Sequence, residues 1–290
     1  LLALEARGLL SLEDPVTDHL PEFAYPGLGQ NEPVRLYHLA SHPSGLPPLR
    51  ALDFAIHPSQ IGDPAEAFNR RDYSGAPRVD DTEELLAYLR RGERAALAAP
   101  GKVVSYSNEG FALLGAVIER ATGLNLEEAM RREVFDPLGM EGATFDLSAA
   151  QTGGQLTGLF TRVPNGSAPE EKGSVIASPH WEEAPAYLAT GFLKASVNDL
   201  TRSLAYLMGG GDERLPVRPA RISELWKPHG WVAPGSDYAL GWSVRHDYHG
   251  LRIIRHGGSL KGVSSHQGWV PGLDLGIAIL TNLDEVPVSH

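Results

Sequence analysis

Two short groups of residues in this sequence carry side chains that could do chemistry. The first is Tyr106-Ser107-Asn108, in which a phenol and a carboxamide stand two residues apart. The second is His256-Gly257-Gly258-Ser259, in which an imidazole precedes two residues without a side chain. Glycines let a ligand approach the backbone closely, so that N–H groups can bind a developing oxyanion. Each group also has a purely structural interpretation, because asparagine caps helices and glycines form turns.

The first group is predicted to lie at the start of a helix. Asn108 is the expected N-cap, and Glu109 suits the first turn because the helix dipole favours an acidic side chain there. Gly123 is expected to end the helix. Between these ends apolar residues recur at helical spacing, at Leu114, Val117, Ile118 and Ala121. The side chains of Tyr106 and Asn108 would therefore be held at the mouth of a buried helix.

The second group is predicted to lie in an antiparallel meander. Residues 238–244 alternate between large apolar side chains and polar or small ones, which is the period of a half-buried strand. Similar short runs occur at 251–256, 264–270 and 275–281, separated by glycine-containing turns. Four strands joined by short turns form a meander, and the His256 group is expected where one strand ends or begins.

Most of the remaining chain is predicted to be helix and loop. Capping patterns start helices at Asp81 and Asn125, and further helices are expected over 197–208, beginning near Ser196, and over 219–226. Residues 51–80 are expected to be an irregular segment that contains short helices, and 146–188 to be loops with one hairpin. Together these elements indicate an α+β fold, with an antiparallel sheet flanked by helices and a mainly helical lobe. We expect one domain over 1–290, with the helical lobe near 34–145 and the sheet lobe near 1–20 and 146–290.

The composition is that of a globular protein with an acidic surface. The 290 residues are 42% hydrophobic and 21% charged, with a net charge of −11 and no cysteine. Nucleic acid is excluded as a partner because phosphate binding needs a basic face. Thiolate chemistry, disulfides and cysteine-based zinc sites are excluded as well. No segment reaches the length of a membrane span, and localisation stays open between the cytoplasm and export.

The sequence predicts no metal site and no cofactor. His38 and His42 are four residues apart, but Pro43 breaks the helix that would align them. His246 and His249 fall at a hairpin tip. The loops that bind nucleotides are absent, and so is the G-x-S-x-G motif of α/β-hydrolases.

Eight segments of the chain, taken together, resemble the serine β-lactamase-like family. They are SLEDPV (11–16), HLASHPSGLP (38–47), SYSNEGFALLGAVIERATG (105–123), FDPLGMEGATF (135–145), ATGFLKASVNDLTR (189–202), YALGW (238–242), RHGGSLKGVSS (255–265) and IAILTN (277–282). The family includes class C β-lactamases, D-alanyl-D-alanine carboxypeptidases and S-x-x-K esterases. The resemblance spans nearly the whole chain in the family's order, and it implies an active site in the cleft between the sheet and the helical lobe.

The resemblance implies three motifs, of which two are present. Tyr106 and Asn108 match Tyr-x-Asn, and His256 with Gly258 matches a strand motif that is Lys-Thr-Gly in lactamases and often His-x-Gly elsewhere. The third motif, S-x-x-K, is absent, since no serine here precedes a lysine by three residues. In the family the nucleophile helix runs directly into a segment like residues 1–16. We therefore expect S-x-x-K about ten residues before Leu1, in a domain truncated at both ends.

The resemblance also implies roles in a two-step acyl transfer. Tyr106 would be the base or proton relay, with its phenol poised by the motif's lysine. Asn108 would bond to that lysine or to the acyl amide, and His256 would orient the tyrosine hydroxyl or meet an oxygen of the substrate. The N–H of Ser259 would join the oxyanion hole. Gly257 stands where lactamases carry a threonine that grips a substrate carboxylate.

The sequence thus favours a serine hydrolase acting on small esters or amides, of the esterase or D-Ala carboxypeptidase type. The glycine at 257 favours substrates with an uncharged acyl side over β-lactams. Two alternatives stay open, a β-lactamase and a catalytically inactive binding protein of the same fold. The expected partner is a small ester, amide or peptide, and the oligomeric state stays open.

Overall fold

The structure is a computed structural model that describes residues 1–68, 71–154, 156–163, 173–209 and 222–288. Within these ranges the α-helices are α1 (Leu2–Ala6), α2 (Val16–His19), α3 (Leu36–Ser41), α4 (Ala51–Gln60), α5 (Thr82–Arg91), α6 (Asn108–Thr122), α7 (Leu126–Met130), α8 (Asp136–Leu138), α9 (Leu147–Thr152), α10 (Leu188–Gly191) and α11 (Val197–Leu207). The strands are β1 (Phe160–Val163), β2 (Ser174–Ala177), β3 (Gly230–Ala233), β4 (Ser236–Tyr238), β5 (Ser243–Tyr248), β6 (Leu251–Leu260), β7 (Val263–Val270) and β8 (Leu275–Thr281). Short 3₁₀ turns occupy Pro64–Phe68, Pro185–Tyr187 and Ser223–Trp226, and a π-helical turn occupies Arg131–Phe135.

α6 is the central helix of the helical part of the molecule. It ends as predicted at Gly123, whose φ of 69° is the left-handed conformation that closes many helices. Its apolar side chains, among them Leu113, Leu114 and Val117, are buried in the largest hydrophobic cluster. α3, α4 and α10 pack around it. Burial on several sides makes α6 a rigid base for the residues that precede it.

The predicted antiparallel meander is present, and it is larger than the sequence indicated. β3 to β8 form one sheet in chain order, in which every strand pairs antiparallel with the next. α11 packs on this sheet through Leu204, which clusters with Val244, Ile254 and Trp269. Helices and an antiparallel sheet together give the α+β class that the sequence predicts.

Two predictions about this sheet were wrong. Residues 238–244 are not one strand, because the chain turns between β4 and β5, where the Ala239 N–H donates to the Trp242 carbonyl at 2.8 Å. Alternation persisted across the turn because Leu240 is buried in the helical core rather than in the sheet. In addition, β6 continues to Leu260, so the His256 group lies inside a strand rather than at its end. Both glycines of this group pair with β7 along one edge of β6.

The predicted helix starts at Asp81, Asn125 and Ser196 are confirmed, and each side chain accepts a backbone N–H of the helix that it caps. Residues 51–80 contain short helical segments as predicted, since α4 fills 51–60 and a 3₁₀ turn fills 64–68. The predicted hairpin within 146–188 is formed by β1 and β2. Of the helix predicted over 219–226, residues 219–221 lie outside the described ranges and 223–226 form a 3₁₀ turn. None of the helices in the described ranges has both the length and the hydrophobicity that crossing a bilayer requires.

Candidate active site

All six residues predicted for the site line one cleft between α6 and the sheet. The cleft has a volume of about 380 Å³. Tyr106 and Asn108 lie on its helical side, and residues 256–259 lie on its sheet side. Leu52, Thr190, Phe192 and Trp242 complete much of the wall. Groups that are up to about 150 positions apart in the chain therefore meet at one place.

The helical side of the cleft begins at the N-cap of α6, which the sequence prediction placed one residue too late. The N-cap of α6 is Ser107, whose hydroxyl accepts the Gly110 N–H at 3.2 Å, and not Asn108. The Ser107 oxygen reaches the N–H three residues further on. Sequence spacing alone does not show which of two adjacent capping residues makes this bond. The Asn108 carboxamide is consequently free of capping, and its residue lines the cleft. The backbone carbonyl of Asn108 accepts the Thr190 hydroxyl at 3.0 Å, and this bond links α6 to α10.

A buried carboxylic acid supports this turn from behind. Glu109 is 2% exposed and bonds to the hydroxyls of Ser107 at 3.0 Å and Tyr187 at 3.3 Å. Burial raises the pKa of Glu109, although its hydrogen bonds oppose the shift. The motif residues are thus backed by a closed polar network rather than by solvent.

Tyr106 stands at the rim of the cleft with 53% of its surface exposed. Its ring centroid lies 4.2 Å from that of His42, 6.3 Å from that of Tyr238 and 6.4 Å from that of His256. Desolvation of the covered part raises the pKa of the Tyr106 phenol. In this environment the phenol keeps its proton at neutral pH, and it would need a nearby cation to act as a base.

His256 is held from both sides by groups other than Tyr106. Its Nε2 lies 2.8 Å from the hydroxyl oxygen of Tyr238. Burial raises the pKa of Tyr238, which therefore retains its proton and can donate to the imidazole. Burial likewise lowers the pKa of His256, and a hydrogen bond with the Gly257 backbone opposes that shift in part. We infer a neutral imidazole that accepts from Tyr238 at Nε2 and donates through its other nitrogen.

His42 forms the floor beneath these rings. It is 1% exposed, its Nδ1 accepts the Ser107 N–H at 3.2 Å, and its ring lies 4.5 Å from that of Tyr238. Burial, with a smaller contribution from His256, lowers the pKa of His42 to about 3. Its Nε2 is buried without a hydrogen-bond partner among the described residues. An aromatic cluster of His42, Tyr106, Tyr238 and His256 therefore joins the two sides of the cleft.

The sheet side of the cleft is an open strand edge. β5 pairs with β6 only as far as Arg255, whereas β7 continues alongside β6 to Leu260. Beyond Arg255, alternate N–H and C=O groups of β6 therefore have no partner among the described strands on the side away from β7. A Cβ at Gly258 would lie 2.6 Å from the Ser265 hydroxyl, so a larger residue there would require the Ser265 side chain to rotate. Such an edge can offer backbone donors to an oxyanion at Gly257 to Ser259.

Sequence reasoning missed Tyr238 and His42 as members of this cluster. Tyr238 was noted as a strand residue and as part of YALGW, and His42 was weighed as a metal ligand with His38 and noted as part of HLASHPSGLP, but neither was given a role in the site. Within the described ranges no group of three or more His, Asp or Glu side chains could hold a metal ion. His38 is instead a local partner, since its Nδ1 accepts the Arg35 N–H at 3.0 Å.

A cleft between a meander sheet and a helical part, with Tyr-x-Asn on one wall and His-Gly-Gly on the other, defines a β-lactamase/transpeptidase-like fold. The family model described as Beta-lactamase matches residues 1–290. This chain belongs to that family, whose members are hydrolases.

Relatives and solved structures agree with this assignment. The chain is 25% identical over 287 residues to "Protein flp" of Staphylococcus aureus (strain MW2), covering 98% of this chain and 50% of that protein. The octameric penicillin-binding protein homologue from Pyrococcus abyssi superposes with a TM-score of 0.79 at 26% identity, covering 97% of this chain and 58% of that one. A D-stereospecific amidohydrolase from Streptomyces sp. superposes with a TM-score of 0.72 at 20% identity, covering 98% and 78%. The chain thus spans about half the length of the curated relative.

Proposed function

We propose that this protein is a serine hydrolase that forms an acyl-enzyme with small esters or amides. The observation that carries the proposal is the convergence of Tyr106, Asn108 and the open edge of β6 on one cleft. A base candidate, a carboxamide and backbone donors are the parts that acyl transfer needs around a nucleophile. Membership of a hydrolase family supports the same chemistry.

The nucleophile is proposed to be the serine of an S-x-x-K motif on a segment preceding Leu1. An apolar cavity of about 410 Å³ supports this placement, because Leu1 and Leu2 line it together with Phe111 and Trp242. Trp242 also lines the candidate active-site cleft, so the cavity and the cleft adjoin. In this proposal the motif lies about ten residues before Leu1, which is about three helical turns, and its hydroxyl and ammonium stand next to Tyr106. That ammonium would offset the desolvation that raises the Tyr106 pKa.

The remaining residues take the following roles. Tyr106 accepts the serine proton directly or relays it, and Asn108 positions the lysine or the acyl amide. The Ser259 N–H, with the N–H of the serine, binds the oxyanion. Tyr238 sets the orientation of His256, whose neutral ring forms part of the cleft wall. Gly257 supplies no hydroxyl for a substrate carboxylate, which favours esterase or carboxypeptidase-type substrates over β-lactams.

The test uses the full-length protein, treated with a fluorophosphonate probe and examined by intact mass. Turnover of p-nitrophenyl butyrate and of nitrocefin is measured in parallel, with Tyr106→Phe as the comparison. We expect one covalent adduct, ester turnover well above nitrocefin turnover, and loss of both adduct and turnover in the variant. Absence of adduct and turnover in the full-length protein would reject the enzymatic function and leave a binding protein of the same fold.

A further inference from the structure

A buried ion pair lies where the sheet side of the cleft meets the helical part. The Lys261 Nζ is 3.0 Å from Asp63 Oδ2, and the two side chains are 16% and 0% exposed. Among the ion pairs found in the described ranges, it is the one in which both partners are more than four-fifths buried. Lys261 begins the turn between β6 and β7, whereas Asp63 follows α4. The pair therefore links two segments that are nearly 200 positions apart in the chain.

Asp63 is a fixed and ionised anchor for this pair. Its Oδ1 accepts the Ala65 N–H and the Ser178 hydroxyl, each at 2.8 Å, and its Oδ2 accepts the His180 N–H at 2.9 Å. Burial opposes ionisation of Asp63, but these hydrogen bonds and Lys261 together lower its pKa. The carboxylate would keep three donors if the lysine were removed, so the anchor does not depend on its partner to stay folded.

Further contacts hold the same turn. The Lys261 N–H donates to Glu182 Oε2 at 3.0 Å, and burial raises the pKa of that carboxyl group. Gly262 has a φ of +75°, and a Cβ there would lie 2.7 Å from the Leu159 Cβ. The turn is thus pinned by its backbone as well as by the Lys261 side chain.

The position of this turn matters because it follows the open part of β6. Ser259 lies two residues before Lys261, which is about 7 Å of extended chain. From His256 onward β7 is the only one of the described strands that pairs with β6, so pairing alone does not set the distance of this segment from α6. The Lys261–Asp63 contact ties the end of this segment to the helical part.

Buried ion pairs are seldom retained for stability alone, because desolvation of the two charges cancels most of their attraction. Their geometry is nevertheless specific. We propose that Lys261 is a positioning residue that, through Asp63, sets the distance between the open edge of β6 and α6, and so aims the Ser259 N–H at the oxyanion. This inference rests on the serine hydrolase function proposed above.

The test compares Lys261→Met, Lys261→Arg and Lys227→Met. Methionine keeps the length of the side chain without its charge, arginine restores the charge, and Lys227 is an exposed lysine that pairs with Glu224 on the surface. For p-nitrophenyl butyrate we expect Lys261→Met to lower kcat about tenfold with KM within about twofold, because a displaced donor weakens transition-state binding rather than substrate binding. Lys261→Arg should recover most of the loss, and Lys227→Met should match the wild type.

Hydrogen exchange of the backbone over residues 256–263 gives a second measurement that does not require turnover. We expect faster exchange in Lys261→Met than in the wild type and in the other two variants. Wild-type kcat in Lys261→Met, unchanged exchange in that variant, or equal impairment in Lys261→Arg would each overturn the positioning role. If the wild type itself hydrolyses neither ester nor amide, the proposed function fails, and the exchange rates still decide whether the pair positions β6.

Discussion

Tyr238 is the residue that changes the interpretation of His256. A histidine in a catalytic strand motif invites a direct role toward substrate, yet the Tyr238 hydroxyl occupies its Nε2 at 2.8 Å. Tyr238 is itself 7% exposed, so water can hardly reach its hydroxyl to replace His256 as the hydrogen-bond partner. The imidazole therefore acts as part of the wall, with its orientation set by the tyrosine.

Tyr238→Phe should lower kcat for p-nitrophenyl butyrate about tenfold while leaving the fold intact, since a buried hydrogen bond contributes roughly 1–3 kcal/mol when one partner is left alone. Michaelis–Menten kinetics measure the effect. Tyr248→Phe is the matched control, because Tyr248 is 43% exposed and lies at the far end of β5. Equal kcat values in the wild type and Tyr238→Phe would show that the bond does not position His256.

At the scale of elements, the start of α6 is where local sequence and function coincide. Ser107 caps the helix, donates its hydroxyl to the buried Glu109 carboxyl group and donates its backbone N–H to His42 Nδ1. One serine thus connects the helix terminus, the buried acid and the aromatic cluster. These bonds position Tyr106 and Asn108, the motif residues on either side of Ser107.

Removing this cap tests whether Ser107 contributes only to the stability of the fold or also to the position of the cleft residues. Ser107→Ala and Ser196→Ala each delete an N-cap serine that also bonds to an acidic side chain, and each should cost about 1 kcal/mol of unfolding free energy. Urea denaturation measures both losses. Only Ser107→Ala should also reduce ester turnover, because Ser196 caps α11 away from the candidate active-site cleft. A similar fall in kcat in both variants would assign the effect to global stability.

At the scale of the whole molecule, two histidines of the helical part, His38 and His42, are buried. Burial, with smaller contributions from neighbouring cations and histidines, lowers the pKa of His38 to about 4 and that of His42 to about 3. An unfolded histidine binds its proton near pH 6.5. Between these values the unfolded chain holds more protons than the native one, so the free energy of unfolding must fall as the pH falls below about 6.5.

His42→Asn should flatten this pH dependence. Asparagine tolerates the left-handed backbone of residue 42, whose φ is 71°, and does not titrate. Urea unfolding from about pH 7 to about pH 5 should show a slope smaller by up to ~1.4 kcal/mol per pH unit than the wild type. His249→Asn, at an exposed histidine with a φ of 54°, is the matched control and should keep the wild-type slope. An unchanged slope in His42→Asn would mean that His42 protonates in the native state.

The sequence by itself determined what depends on neighbours within a few residues. Periodicity and capping chemistry located α5, α6, α7 and α11, and alternation with glycine turns located most of the meander. The same local signals failed at the β4–β5 turn, where the buried Leu240 belongs to the helical core, and at the N-cap of α6, where two adjacent residues can both cap.

Only the tertiary structure decided which distant residues meet in the cleft. The motif residues Tyr106, Asn108 and 256–259 were identified from the sequence through a family resemblance, but the partners Tyr238, His42 and the Lys261–Asp63 pair were not. The Ser107–His42 bond lies within the helical part and the His256–Tyr238 bond within the sheet, whereas the His42–Tyr238 ring contact and the Lys261–Asp63 pair join the two across long separations in the chain. These contacts form only when the hydrophobic core packs α6 and β6 together. The distances between the side chains therefore cannot be derived from residue types and spacing alone.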